Sequence, residues 1–159
     1  MRRPNLVRSP SESVSRMSDN TLRSVDLARI GDGKYRATNV RGGEMLVGAM
    51  DDQDPTFTPV ELLLVAIAGC SATDVEFITR KRATSTSFDV RAEGNKVRDE
   101  QGNHLDGLRL TFDVHFPAGP EGDAARGVLQ RAIEQSRDRL CTVSRTVQLG
   151  AGVEYRRAD

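Results

Sequence analysis

The chain has 159 residues, and its 23 Lys plus Arg balance 23 Asp plus Glu, so the formal net charge is zero. That balance argues against a dedicated nucleic-acid binder, which needs a basic surplus to neutralise phosphates, while the length suits one domain with its own core. Two cysteines are too few for a disulfide-dense scaffold, and with His104 and His115 in neither neighbourhood they do not spell a four-ligand structural zinc site.

Residues 1–20, MRRPNLVRSPSESVSRMSDN, are rich in Ser, Arg and Pro and poor in apolar side chains. They bury too little surface to offset chain entropy, which predicts a disordered tail ahead of a domain over 21–159. The stretch lacks the hydrophobic core of a secretory signal; its Arg/Ser-rich character is also that of a transit peptide, without the amphipathic helix.

From Val25 and Leu27 to Ile30 apolar and polar residues alternate as in a strand. Gly31-Asp32-Gly33 is a hairpin turn signal, residues 34–40 read as a second strand, Arg41-Gly42-Gly43 turns the chain, and Glu44 to Val47 make a third. Residues 49–57 read as an acidic loop. Thr58-Pro59-Val60-Glu61 is a helix start: Thr58 caps, Pro59 suits the first helical position, and Glu61 stands where a capping box wants its carboxylate. This helix is expected to reach Arg82. Its first half, LLLVAIAG, is apolar all round, which predicts burial on every side. The longest apolar run, Leu62 to Gly69, falls well below the roughly 20 residues of a membrane span.

Phe88 to Val97 reads as a strand and Asp99 to Gly107 as a long polar turn. Leu108, Leu110, Phe112, Val114 and Phe116 then alternate with Arg109, Thr111, Asp113 and His115, giving a strand with one buried face and one wet face. A second helix is predicted from Asp123 to Leu140. Its inner stripe is Ala125, Val128, Leu129, Ala132, Ile133 and Ser136. Cys141 stands just beyond it, and residues 142–149 and 153–156 read as two short strands. The order is β-β-β-α-β-β-α-β-β, and strand pairs joined by tight turns imply an α+β protein with antiparallel sheet.

Cys70 lies mid-helix among small residues in AIAGCSAT. A free cysteine in such a place is a small buried hydrophobe or a reactive thiol, and Cys141 carries the same two readings. Asp74, one turn after Cys70, opposes a thiolate by like charge, or bonds to a backbone group or an arginine. Glu61 is a capping residue or a site residue. Helical geometry separates it from Cys70 by about 13.5 Å of axial rise and puts it on the opposite face, so any thiol it serves belongs to a second chain. His104 and His115 read as solvated.

The segment TPVELLLVAIAGCSATDV (58–75), followed by CTVSRTV (141–147), resembles the OsmC/Ohr family of osmotically inducible and organic hydroperoxide resistance proteins. The likeness spans about residues 22–157, and the GCSAxDV form is similar to the OsmC-like branch. The resemblance implies an OsmC-like fold, antiparallel sheets packed around two helices, in an intertwined homodimer with sites at its interface. It further implies a thiol peroxidase of oxidative stress defence. Cys70 is then the peroxidatic cysteine and the more acidic thiol, Cys141 resolves it through a disulfide, and Glu61 helps to order an arginine over the thiol. The family carries that arginine in its first hairpin turn. Here the turn is Gly31-Asp32-Gly33, and Arg29 is the candidate beside it, with Arg36, Arg41 and Arg145 further out of register. The implied partners are a second copy, an organic hydroperoxide and an external dithiol reductant, with no cofactor, no metal, no nucleic acid and no membrane, in the cytoplasm. The alternative is a non-enzymatic dimer of the same fold that binds a small hydrophobic ligand or senses redox state.

Overall fold

The computed structural model describes residues 21–48, 51 and 53–158. The expected disordered tail over residues 1–20 lies outside the described residues. The chain divides at the Phe57–Thr58 boundary into two compact units.

The first unit is an antiparallel meander of β1 (Val25–Gly31), β2 (Lys34–Asn39) and β3 (Glu44–Val47), in that spatial order. Its turns follow from side chains that bond to backbone and from glycine. Gly33 takes φ +62° in the first turn. In the second, the Asn39 Oδ1 accepts from the Arg41 and Gly43 amides at 2.9 and 3.1 Å, an Asx-type turn. Gly48 is required by position: it sits at φ +103°, and a Cβ there would lie 2.1 Å from the Gly33 carbonyl oxygen. Ala37 and Val47 are buried, while Val25, Leu27, Ile30, Met45 and Leu46 remain exposed.

The second unit begins with α1 (Pro59–Thr79), continues through β4 (Ser87–Asp99) and β5 (Gly102–His115), and closes with α2 (Pro120–Gln135) and α3 (Thr142–Leu149). The capping box forms as expected. Thr58 N–H donates to Glu61 Oε2 at 2.7 Å, and the Glu61 amide returns a bond to Thr58 Oγ1 at 3.3 Å. Ile67, Ser71, Val75 and Thr79, spaced four apart, form the buried stripe of α1. That stripe is where α2 brings Ala125, Ala132 and Ser136 to the interior; small residues let the two helices approach closely. The long β4–β5 hairpin runs in register from Ser87 opposite His115 to Asp99 opposite Gly102, with an irregularity at Gly94. Phe88 and Phe112 meet edge to face at 6.4 Å.

The α+β class and the antiparallel sheets are as expected, and four local expectations are corrected. Residues 102–107 pair as strand instead of forming a long turn. Gly102 takes φ +101°, and Asp99 Oδ1 accepts from the Gln101 amide at 2.8 Å, so the chain reverses at Glu100-Gln101 and the polar residues beyond form a wet ladder. The second helix starts at Pro120, not Asp123, because proline suits the first helical position. Residues 142–149 are helical, not a strand. Their β-branched side chains favour a strand, but the Cys141 N-cap and Gly150 at φ +60° bracket a helix, and Thr146 Oγ1 donates to the Thr142 carbonyl at 2.8 Å. No strand forms over 153–156, where Val153 and Tyr155 are exposed.

The all-round apolar half of α1 is not covered all round within one chain. Leu63 and Val65 of that half are exposed, as are Val60 before it and Phe77 near the end of the helix. By length and composition α1 could cross a membrane, with mean hydropathy 1.7 and 22% of that window buried. A core helix passes the same test, and the buried stripe facing α2 gives this one a packed side.

Candidate functional site

The site lies where the middle of α1 meets the end of α2 and the start of α3. On α1, Cys70 and Asp74 are one turn apart and so share a face. The last turn of α2 widens into a π-helical segment, Ser136–Leu140, closed by the Cys141 amide donating to the Ser136 carbonyl at 3.0 Å. Such a widened turn inserts one residue and re-aims the residues C-terminal to it. Here it leaves Ser136 facing α1 and makes Cys141 the N-cap of α3, with the Ser144 amide donating to Cys141 Sγ at 3.3 Å.

The result is a cluster of three reactive groups. The Cys70 Sγ, the Cys141 Sγ and a carboxylate oxygen of Asp74 all lie within 4.8 Å of one another. Cys141 is fully buried, whereas Cys70 and Asp74 are half-buried. Ser136 Oγ donates to Asp74 Oδ2 at 3.0 Å, which fixes one carboxylate oxygen. Both cysteines are free thiols.

Electrostatics separate the two sulfurs. Burial pushes the Cys70 thiol up; the hydrogen bond it gives to Cys141 and the Asp74 charge push the same way, and only the Val143 amide opposes them. Burial also works against a Cys141 thiolate. Hydrogen bonds from Cys70, Ser144 and Ser71, together with the Ser144 amide, outweigh it and hold Cys141 below its ordinary value. The N-terminus of α3 favours the same negative charge. Both directions run against the expectation that Cys70 is the more acidic thiol.

Beside the cluster opens a cavity of about 380 Å³. Ile67, Leu110, Phe112, Ile133 and Val147 give it apolar walls, and Ser71, Ser144 and Arg137 supply polar groups. Ser71 and Ser144 thus face both the cavity and the Cys141 sulfur.

The structure brings Cys70 and Cys141 together and leaves Glu61 elsewhere in the second unit. Glu61 is exposed at the start of α1. Its carboxylate accepts from both the amide and the hydroxyl of Thr58, which lowers its pKa. Arg29 belongs to the first unit, where Nε donates to the Gly31 carbonyl at 3.2 Å and Nη2 pairs with Asp32. Sequence reasoning missed Ser71, Ser136 and Ser144. Only Ser136 carried a signal, as a hydroxyl on an otherwise apolar helix stripe. Asp74 bonds to a serine hydroxyl, a partner not foreseen.

The sequence model of a family described as OsmC-like protein matches residues 51–156. An uncharacterized protein of Mycobacterium tuberculosis is 32% identical over 133 residues, covering 82% of this chain and 93% of its own. An OsmC-like protein of unknown function from Vibrio cholerae has a similar structure, with a TM-score of 0.66 at 15% identity over 80% of this chain and 94% of its own. An organic hydroperoxide resistance protein OsmC from Legionella pneumophila gives a TM-score of 0.53 at 12% identity, over 80% of this chain and 89% of its own.

Proposed function

The chain belongs to the OsmC-like family, and from that membership we propose that it is a thiol peroxidase that reduces organic hydroperoxides in oxidative stress defence, with Cys70 and Cys141 as its redox pair. The observation that carries this reading is the approach of two free thiols from distant parts of the chain to within 4.8 Å. Accessibility favours Cys70 as the attacking sulfur, since Cys141 is fully buried. The Cys70 sulfur takes the distal oxygen of the hydroperoxide, the O–O bond breaks, and the alcohol leaves with a proton, so that Cys70 becomes a sulfenic acid. The Cys141 thiolate then attacks the Cys70 sulfur, hydroxide leaves, and a disulfide forms. An external dithiol reduces it and is itself oxidised to a disulfide.

A Cys141 thiol held below its ordinary value suits this division. A thiolate there pulls on the Cys70 proton as the sulfur attacks, and it is ready as the nucleophile for the second step. The apolar cavity beside the pair suits the organic part of a hydroperoxide. The exposed apolar side chains of α1 and of the β1–β3 sheet favour an obligate homodimer in which a second copy covers them. Glu61 enters this reading only as a group that such a second copy brings into play.

Consumption of an organic hydroperoxide with a dithiol as reductant tests the reading. Wild type is expected to turn over, and Cys70→Ser to fall to the uncatalysed rate. Equal rates in the two proteins would favour the second reading, a non-enzymatic dimer that uses the same 380 Å³ cavity for a small hydrophobic ligand.

A further inference from the structure

We propose that Cys70, Asp74 and Cys141 form a binding site for a thiophilic divalent cation, zinc first among them, held by two thiolates and one carboxylate. The three donor atoms lie within 4.8 Å of one another. A tetrahedral zinc with sulfur ligands near 2.3 Å and an oxygen ligand near 2.0 Å places those donors about 3.5 to 3.8 Å apart, so the cluster needs only a small contraction. The donor set selects the metal. Two thiolates exclude magnesium and calcium, which want oxygen, and the carboxylate favours zinc over monovalent copper, which wants soft donors alone. Three protein ligands leave a fourth position for water or an exchangeable ligand.

The surroundings also resemble those of a built metal site. Ser136 donates to Asp74 Oδ2 and so orients the carboxylate. The Ser144 amide donates to the Cys141 Sγ and stabilises it as an anion. Outer partners of this kind hold metal ligands in place. Binding breaks the remaining S–H bonds and forms two sulfur–metal bonds and one oxygen–metal bond. The thiol protons pass to solvent and no electron moves. The sequence concealed this site because its ligands come from two distant segments.

The site stands independently of the peroxidase reading: a chain that binds metal and consumes no hydroperoxide keeps the one and loses the other. The test is titration of the reduced, metal-free full chain with cobalt(II) as an optical probe, followed by zinc. One cobalt per chain is expected, with thiolate-to-cobalt charge-transfer absorption and the intense visible bands of tetrahedral cobalt, all displaced by one equivalent of zinc. Ser136→Ala should weaken binding about tenfold, and Asp74→Asn should weaken it further. In wild type, zinc should also protect Cys70 and Cys141 together from alkylation. Unchanged alkylation rates with zinc present, or cobalt bound without charge-transfer absorption, would overturn the proposal, whatever the variants do.

Discussion

Cys141 owes its character to its place at the N-cap of α3, where amide and hydroxyl donors converge on one sulfur. Cys70, one turn from a carboxylate, has the opposite surroundings. In wild type, Cys141 should therefore titrate at lower pH than Cys70, read from alkylation rate against pH at each sulfur by peptide mapping. The reverse order would place the acidity back on Cys70. The Ser136 bond to Asp74 carries a second expectation: Ser136→Ala strands a half-buried carboxylate oxygen and should cost about 1 kcal/mol in urea denaturation. At this scale the sequence showed which cysteines matter, through the segments around them. It did not show their relative acidity, because that depends on Ser144 and Ser71 reaching one sulfur through the fold.

The helix α1 was legible from residue types alone, since Thr58, Pro59 and Glu61 announce its start. Thr58→Ala should cost about 1 kcal/mol. The Glu61 carboxylate has its folded-state pKa lowered by its bonds from Thr58, so its support is present above the unfolded pKa and is lost as pH falls through the folded value. The stability gap between wild type and Glu61→Gln should accordingly close in acid; a gap that persists at low pH would mean that charge plays no part in the cap. The alternating residues of β5 were equally clear from Leu108 to Phe116, whereas residues 102–107 were not, because a wet ladder is held by backbone bonds that polar side chains neither advertise nor prevent. The strand reading of 142–149 failed because β-branched propensity is weaker than two good caps. The π-helical turn left no periodic trace, yet it sets Ser136 and Cys141 where the site needs them. Close packing at the start of α2 has its own test: a Cβ on Gly122 would fall 1.8 Å from the Pro117 carbonyl oxygen, so Gly122→Ala should destabilise by about 1–3 kcal/mol.

As a whole, the molecule leaves apolar side chains of α1 and of the β1–β3 sheet open to solvent in a single chain. A second copy that covers them predicts a mass of two chains by light scattering at low micromolar concentration, and a well-folded monomer there would rule the dimer out. The proposed function needs less than the dimer: it needs Cys70 and Cys141 to work as a redox pair. Peptide mapping under non-reducing conditions, after one equivalent of an organic hydroperoxide, decides whether they do. A redox pair yields a single Cys70–Cys141 disulfide within one chain, reversed by a dithiol. Cys70 overoxidised to sulfinic acid beside a free Cys141 thiol, or both thiols unmodified, would contradict it.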